Sequence, residues 1–241
     1  MDALESLVRV KDLRAISLSG PWGVGKTHLV HEFAKKSPEL LREAKLKFVH
    51  VSLFGLTSLE AVRSRIAASS LSPGQRWLAH IPLIAQTGWV DMSKVGDIAR
   101  NVAEKALLKN LFVVIDDLER AGETLSSVSV VGLISELIEQ CGCKCVLILN
   151  KAKLAKQINQ SEEKVFDLTL DYRPTISDVL PYGLPRDEDC TLALPVFEAF
   201  DCANIRIAKR LSWILRELGG TSYTQAAKIW PTIVRQATVL A

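Results

Sequence analysis

The chain has 241 residues, of which 48% are hydrophobic and 24% are charged, and its formal net charge is +3. These values are typical of an ordinary soluble globular protein with a sizeable core. The mild charge neither requires nor excludes nucleic acid. The chain contains no apolar run of about 18 residues, so no membrane span is predicted.

The cysteines and the N-terminus bear on location. Five cysteines are an odd number, and three are crowded as Cys141-Gly-Cys143-Lys-Cys145. This spacing differs from the C-x-x-C of zinc and redox sites, and we expect Cys145 to be a small core residue. The acidic N-terminus lacks the basic and apolar regions of a signal peptide. A reducing cytoplasm is the expected setting.

The first chemical signature follows a short lead-in, residues 1–13, that we expect to be helical. A buried strand at 14–18 precedes G-x-x-x-x-G-K-[ST], and a helix starts at His28, which is the context of a phosphate-binding P-loop. Lys26 is expected to reach the β- and γ-phosphates, and the Thr27 hydroxyl to ligate Mg²⁺. The predicted binding residues are Gly20, Pro21, Trp22, Gly23, Val24, Gly25, Lys26, Thr27 and His28.

A second strand is predicted at 47–53, followed by a helix capped by Thr57 or Ser58. Residues 69–91 form a predicted insertion. Within it, residues 76–90 are apolar and aromatic but broken by proline and glycine. Three interpretations stay open: an ordinary packed insertion, a surface that docks a partner, and a membrane-contacting segment.

A helix at 92–108 leads to an apolar strand, 111–115, that closes on Asp116 and Asp117. This is the Walker B pattern, in which the strand carries an acid to the ligand-binding edge of the sheet. Asp116 is expected to hold Mg²⁺ directly or through water, and Asp117 to orient or deprotonate the attacking water.

A helix at 125–140 leads to a fourth strand, 144–149, that ends in Asn150. A polar residue at this tip is placed to touch the γ-phosphate or the lytic water, although an asparagine there also starts turns. A fifth strand is predicted at 164–170, and the loop-rich segment 171–195 marks a boundary. We therefore expect a core at 1–175 and a helical subdomain at 176–241.

The helical subdomain begins with an amphipathic helix at 204–218, whose opposite face carries Arg206, Lys209, Arg210 and Arg216. Its predicted apolar stripe is Ile205, Ala208, Leu211, Leu215 and Leu218. A last helix starts near Ser222 and is interrupted at Pro231. The mostly apolar end at 237–241 suggests a missing continuation or a partner.

The order of these strands resembles that of the additional-strand ATPases, including the AAA+ and STAND groups. The resemblance implies an α/β fold, a P-loop NTPase three-layer sandwich with a five-stranded, mainly parallel sheet in the order 5-1-4-3-2. Asn150-Lys-Ala-Lys153 matches the guanine-specificity motif N-K-x-D at two positions, but Lys153 replaces the base-reading Asp. ATP is therefore favoured over GTP.

The P-loop Gly20-Pro-Trp-Gly-Val-Gly-Lys-Thr27, with Val114-Ile-Asp-Asp-Leu-Glu-Arg120 and Asn204-Ile-Arg-Ile-Ala-Lys-Arg210, resembles the KAP family of P-loop NTPases. Glu119 replaces that family's usual Asp, and the paired transmembrane helices that many members carry between the Walker motifs are not predicted here. The resemblance implies a sensor-like role for Asn150 and a γ-phosphate-sensing role for Arg206, whose alternative is a solvated helix face.

Arg120 either pairs with a neighbouring subunit's nucleotide or braces the Walker B loop. The resemblance favours an ATP-hydrolysing switch, slow without a partner, that acts as an oligomer or with an effector protein and whose bacterial relatives serve in phage defence. The basic helix motivates one alternative, a nucleic-acid-handling ATPase such as a helicase loader. A nucleotide-binding scaffold without turnover is another, because Asp117 is about one methylene shorter than the glutamate common in related ATPases.

Overall fold

The computed structural model describes residues 1–71, 107–153 and 164–219, together with residues 232 and 236. The chain forms two compact units. The first, here the sheet unit, comprises Met1–Ser19 and Thr27–Leu170, and the second, here the helical unit, comprises Gly20–Lys26 and Asp171–Ala241. The predicted segment 76–90, most of the helix at 92–108 and the last helix from residue 222 lie outside the described residues.

A five-stranded sheet lies at the centre of the sheet unit in the order β2-β3-β4-β1-β5. The neighbours β2/β3, β3/β4 and β4/β1 are parallel. Every residue of β1 and β3 is buried, as expected for strands covered on both faces. The predicted α/β class and strand order are confirmed. The strands are β1 Ala15–Ser19, β2 Lys47–Ser52, β3 Leu111–Asp116, β4 Lys144–Leu149 and β5 Leu168–Asp171.

Two of the described helices of the sheet unit, α4 and α5, begin at a serine whose side chain caps the helix. Ser58, rather than Thr57, caps α4, because its hydroxyl accepts a hydrogen bond from the Ala61 N–H at 3.2 Å. Ser126 caps α5 in the same way, and Gly142 ends it in a left-handed conformation. The helices are α1 Asp2–Arg9, α2 Lys26–Lys36, α3 Pro38–Glu43, α4 Leu59–Ser70 and α5 Ser127–Cys141.

The fifth strand is shorter than predicted and starts later. The prediction placed it at 164–170, but residues 164 and 165 are helical and the strand begins at Leu168. Phe166 is buried, and its neighbour Val165 packs against the same core cluster. Consecutive residues of a strand point to opposite faces, so two adjacent side chains packing together mark a segment that is not yet extended.

The helical unit contains α6 Ile176–Val179, a 3₁₀ turn at Leu180–Tyr182, α7 Asp187–Ala199 and α8 Ile205–Gly219. Helix α7 covers the last part of the segment 171–195, which was predicted to be rich in loops, and it contains Pro195. Its first turn carries three acids, which the helix dipole stabilises. One of them, Asp189, is buried and pairs with Arg186 at 2.8 Å.

Four positions of the predicted α8 stripe are buried in the core of the helical unit: Ile205, Ala208, Leu211 and Leu215. Three of the four join a cluster with Leu180, Leu184, Ala193 and Phe197. The opposite, basic face of α8 is exposed. Among the residues that the structure describes, no helix has both the length and the apolar character needed to cross a membrane.

Candidate phosphate and metal site

The P-loop glycines and lysine belong to the helical unit. The Lys26 ammonium is buried and donates hydrogen bonds to the carbonyl oxygens of Gly20 and Pro21, both at 2.7 Å. The loop therefore closes around the ammonium. Because a charged phosphate oxygen is a stronger partner for an ammonium than a neutral carbonyl, this arrangement suits a lysine that binds an incoming phosphate.

The loop needs glycine where its backbone turns. Gly23 has a φ of +82° and Gly25 a φ of +100°, which L-residues rarely adopt. Space is restricted too: a Cβ on Gly23 would lie 2.1 Å from Asn204 Oδ1, and one on Gly25 would lie 2.7 Å from Ile205 Cδ1. The glycines thus allow the start of α8 to approach the loop.

Asn204 and Ile205 connect α8 to the loop within the helical unit. The Ile205 N–H donates to the Gly23 carbonyl at 2.8 Å, and the Asn204 amide donates to the Trp22 carbonyl at 3.4 Å. Asn204 Oδ1 also accepts the Arg206 N–H at 2.9 Å, as an N-cap does. The sequence marks Asn204 only as part of a motif. Its contact with Trp22 could not be predicted, because no local pattern links residues 182 positions apart.

Arg206 lies in the first turn of α8, two residues beyond Asn204, and its side chain is exposed. Of the other predicted loop residues, Val24 is buried, and Trp22 is exposed at the surface with 39% of its area accessible. The side chain of His28 is half-buried in the first turns of α2.

The predicted metal ligands meet in the sheet unit. The Thr27 hydroxyl donates to Asp116 Oδ2 at 2.5 Å, and the Asp117 N–H donates to Asp116 Oδ1 at 2.7 Å. A hydroxyl that donates its proton keeps its lone pairs for a cation. Hydroxyl and carboxylate oxygens are the donor set that Mg²⁺ prefers, so these residues fit the ion that the P-loop pattern implies.

The carboxyl of Asp116 is poised to be charged. Burial alone raises its pKa, but the adjacent His50 ring and the hydrogen bonds from Thr27 and the Asp117 N–H act in the opposite direction and together lower it. A metal ligand must be deprotonated, and this environment favours the deprotonated form.

Asp117 is held from two sides. The Ser52 hydroxyl donates to its Oδ2 at 2.8 Å, and Arg120 Nε lies 3.9 Å from its Oδ1. Its φ of +60° places the residue in the left-handed region. The contact with Arg120 fits the bracing role considered for that arginine, and its pairing with a neighbouring subunit's nucleotide stays a prediction. Ser52 was not predicted, although it pairs with Asp116 in the β2/β3 register.

Asn150 follows the last residue of β4, as predicted, and its side chain is buried. Its Oδ1 accepts the Ala152 N–H at 3.2 Å, which is the turn-starting contact considered for it. Its own N–H donates to Glu119 Oε2 at 3.3 Å. Glu119, the residue that departs from the family pattern, thus links the Walker B loop to the tip of β4.

Two histidines that the sequence analysis did not select lie beside Asp116. His50 Nε2 is 3.5 Å from Asp116 Oδ2, and His50 Nδ1 is 3.2 Å from His31 Nε2. Burial, followed by the neighbouring His50, lowers the pKa of His31. One signal was available: His31 follows Thr27 by four residues, which places both on one face of α2.

The three crowded cysteines are buried in the core, as expected for Cys145. Burial raises the pKa of the Cys143 thiol to about 12, so it stays protonated at neutral pH. Within 1–71, 107–153 and 164–219, no group of three or more His, Cys, Asp or Glu side chains is arranged to hold a metal ion.

Comparison with known proteins gives one family match and several similar folds. The sequence model of the KAP family P-loop domain matches residues 4–72. No curated protein sequence gives a significant match. The fold is similar to that of the Orc1 protein of Aeropyrum pernix, solved in complex with DNA, at 14% identity and a TM-score of 0.58 over 99% of this chain and 62% of that one.

Two further structures show the same fold. Cdc6p from Pyrobaculum aerophilum is 15% identical, with a TM-score of 0.57 over 90% of this chain and 62% of that one. A point mutant of RuvB from Thermotoga maritima is 15% identical, with a TM-score of 0.50 over 99% of this chain and 66% of that one. The chain therefore spans less than two thirds of the length of these proteins. Residues 4–72 match the sequence model of the KAP family P-loop domain, and the chain has a P-loop NTPase fold.

Proposed function

We propose that this chain binds ATP with Mg²⁺ and hydrolyses it as a molecular switch. The observation that carries the proposal is the pairing of the Thr27 hydroxyl with the Asp116 carboxylate at 2.5 Å, inside a chain that has a complete P-loop. Lys26 precedes Thr27 directly, so its ammonium and the hydroxyl would serve the same nucleotide. Lys153 in place of a base-reading acid favours adenine over guanine.

Each residue has a distinct task in this proposal. Lys26 would bind the β- and γ-phosphates, and Thr27 and Asp116 would hold Mg²⁺, which neutralises charge that develops on the phosphates. Asp117 would accept the proton of the attacking water, with Ser52 orienting the carboxylate. Asn150 and Arg206 would sense the γ-phosphate.

The switch would use the contact between the loop and α8. A phosphate that enters the loop would act on the hydrogen bonds that Asn204 and Ile205 make there, and so on the start of α8. We further propose that the nucleotide state controls self-assembly or an effector protein in the cytoplasm. By its family resemblance, the role would lie in bacterial antiviral defence.

Binding of fluorescent ATP and GTP analogues, together with phosphate release, tests this function. We expect ATP to bind more tightly than GTP and Lys26→Ala to weaken the binding of both. Asp117→Asn should keep binding and lower phosphate release by about 100-fold or more, since a general base contributes about 10²–10⁴-fold. If the wild type releases phosphate no faster than Asp117→Asn, the chain is a nucleotide-binding scaffold without turnover and not a hydrolysing switch.

A second candidate function is favoured by the exposed face of α8. This face carries four positively charged side chains and one large aromatic ring, that of Trp213, which is 58% exposed. The basic residues are Arg206, Lys209, Arg210 and Arg216. The apolar face of the same helix is already buried in the core of the helical unit. Cations that track phosphates around an aromatic platform are characteristic of single-stranded nucleic acid binding. In that case the ATPase would handle nucleic acid.

Fluorescence anisotropy with a labelled single-stranded oligonucleotide decides between the two candidates. The charge reversal K209E/R216E, or Trp213→Ala, should weaken binding. If all four basic side chains each neutralise one phosphate, the wild-type log K should fall with log salt at a slope of about −3, or about 0.7 per phosphate. The matched control K35E/K36E reverses two exposed lysines on α2 and should change little. No binding at low salt would eliminate the nucleic-acid function.

A further inference from the structure

Four side chains of the sheet unit form a continuous chain of polar contacts. It runs from Thr27 Oγ1 to Asp116 Oδ2 at 2.5 Å, from Asp116 Oδ2 to His50 Nε2 at 3.5 Å, and from His50 Nδ1 to His31 Nε2 at 3.2 Å. The two imidazole rings stand edge to face, with centroids 4.7 Å apart. The hydrolytic roles assigned above use Thr27 and Asp116 but leave both histidines without a task.

The fold brings these residues together by two regular spacings. Thr27 and His31 are four residues apart on α2 and share one helix face. His50 pairs with Val114 in the β2/β3 register, so Asp116, two residues later, lies on the same face of the sheet as His50. A diagonal neighbour on a sheet is about 7–8 Å away, a distance that an imidazole can span.

His50 Nε2 lies 3.5 Å from Asp116 Oδ2 without the geometry of a hydrogen bond, and it has no other hydrogen-bond partner in the described part of the chain. In the neutral tautomer with Nε2–H, His50 Nδ1 accepts from His31 Nε2–H, and the Nε2–H is left as the group nearest to the carboxylate. Asp116 Oδ1 is held separately by the Asp117 N–H at 2.7 Å. The Thr27 hydroxyl holds Asp116 Oδ2, and the His50 ring lies beside the same oxygen, so the ring limits the orientation that the carboxylate presents to a metal ion.

We propose that His50 is a positioning residue that orients Asp116 for the metal ion that accompanies the nucleotide, and that His31 fixes the His50 ring for this task. The inference rests on the proposed function only as far as metal-assisted nucleotide binding and does not require hydrolysis. Partners that orient a metal ligand change metal affinity by about 10–100-fold when they are removed. The expected signature is therefore a loss of metal coupling, without loss of the nucleotide site itself.

The test measures the affinity of a fluorescent ATP analogue in saturating Mg²⁺ and again in EDTA. The ratio of the two dissociation constants is a coupling factor, and by linkage it also gives the effect of nucleotide on metal binding. His50→Ala should reduce the factor by about 10–100-fold, and its affinity in EDTA should equal that of the wild type. His50→Gln keeps an N–H donor at a similar distance and should restore most of the factor, which a merely space-filling role for His50 does not predict.

The outcomes are separable. Two results overturn the inference while the proposed function stands. One is an unchanged coupling factor in His50→Ala, and the other is a coupling factor in His50→Gln that is as low as that of His50→Ala. A wild-type factor of one refutes metal-assisted binding and the inference with it. If His50→Ala does not fold, His31→Leu serves as the second variant, and a reduced factor supports the inference while an unchanged factor overturns it. Because neither arm requires turnover, a chain that binds ATP without hydrolysing it gives the same result.

Discussion

Replacing Gly23 by alanine tests the contact between the P-loop and α8. At a φ of +82°, an alanine costs roughly 1–2 kcal/mol. Its Cβ would also lie 2.1 Å from Asn204 Oδ1, so the asparagine must move and give up its cap on α8, which contributes about 1 kcal/mol. Together, the free energy of unfolding should fall by about 2–3 kcal/mol.

Gly55 offers a matched control, because its φ is +72° and a Cβ there would have no neighbour within 4 Å. Gly55→Ala should therefore show the backbone cost alone. In an Asn204→Ala background, the new Cβ at residue 23 no longer meets the asparagine, so Gly23→Ala should lower the free energy of unfolding by less. The effects of the two substitutions should therefore differ from additivity by about 1 kcal/mol. Urea unfolding followed by circular dichroism measures all four variants. Equal costs for Gly23→Ala and Gly55→Ala, or full additivity with Asn204→Ala, would refute the contact.

Three further predictions follow from the fold. Ser58→Ala removes the cap of α4 and should lower the free energy of unfolding by about 1 kcal/mol in urea titrations. Asp167→Ala leaves two backbone N–H groups at the start of β1 without their acceptor and should cost about 1–3 kcal/mol in the same measurement, whereas Asp167→Asn should cost less. Iodoacetamide at neutral pH should modify the half-buried Cys190 and Cys202 first, and mass spectrometry should show the buried cysteines at 141–145 reacting only after denaturation.

Much of the sheet could be predicted because three of its strands carry distinct chemical signatures. The P-loop follows β1, paired acids close β3, and Asn150 ends β4, so the strands could be placed in order before any packing was known. The shorter β5 has no such marker, and the packing of both Val165 and Phe166 against the core broke the alternation on which its prediction depended.

The helical unit was harder to predict, since its local signals pointed elsewhere. Prolines and charges suggested a loop where α7 forms, because acids in a first helical turn and a loop-forming charge run have the same composition. The site shows the same limit. Thr27 and Asp116 were predicted as a pair from motifs, whereas the contacts of Asn204, Ser52 and His50 depend on which distant elements pack together.

The left-handed backbone at Asp117 restricts how this position can evolve. Glycine adopts a φ near the +60° of Asp117 freely, and aspartate and asparagine adopt it more readily than other residues, which cost roughly 1–2 kcal/mol there. A glutamate would extend the acid by one methylene but strain the turn, and an asparagine would keep the turn but remove the charge. The geometry of one peptide unit thus makes aspartate the only residue that is both acidic and at ease in this turn, and a lineage that needed a longer acid would first have to rebuild the turn itself.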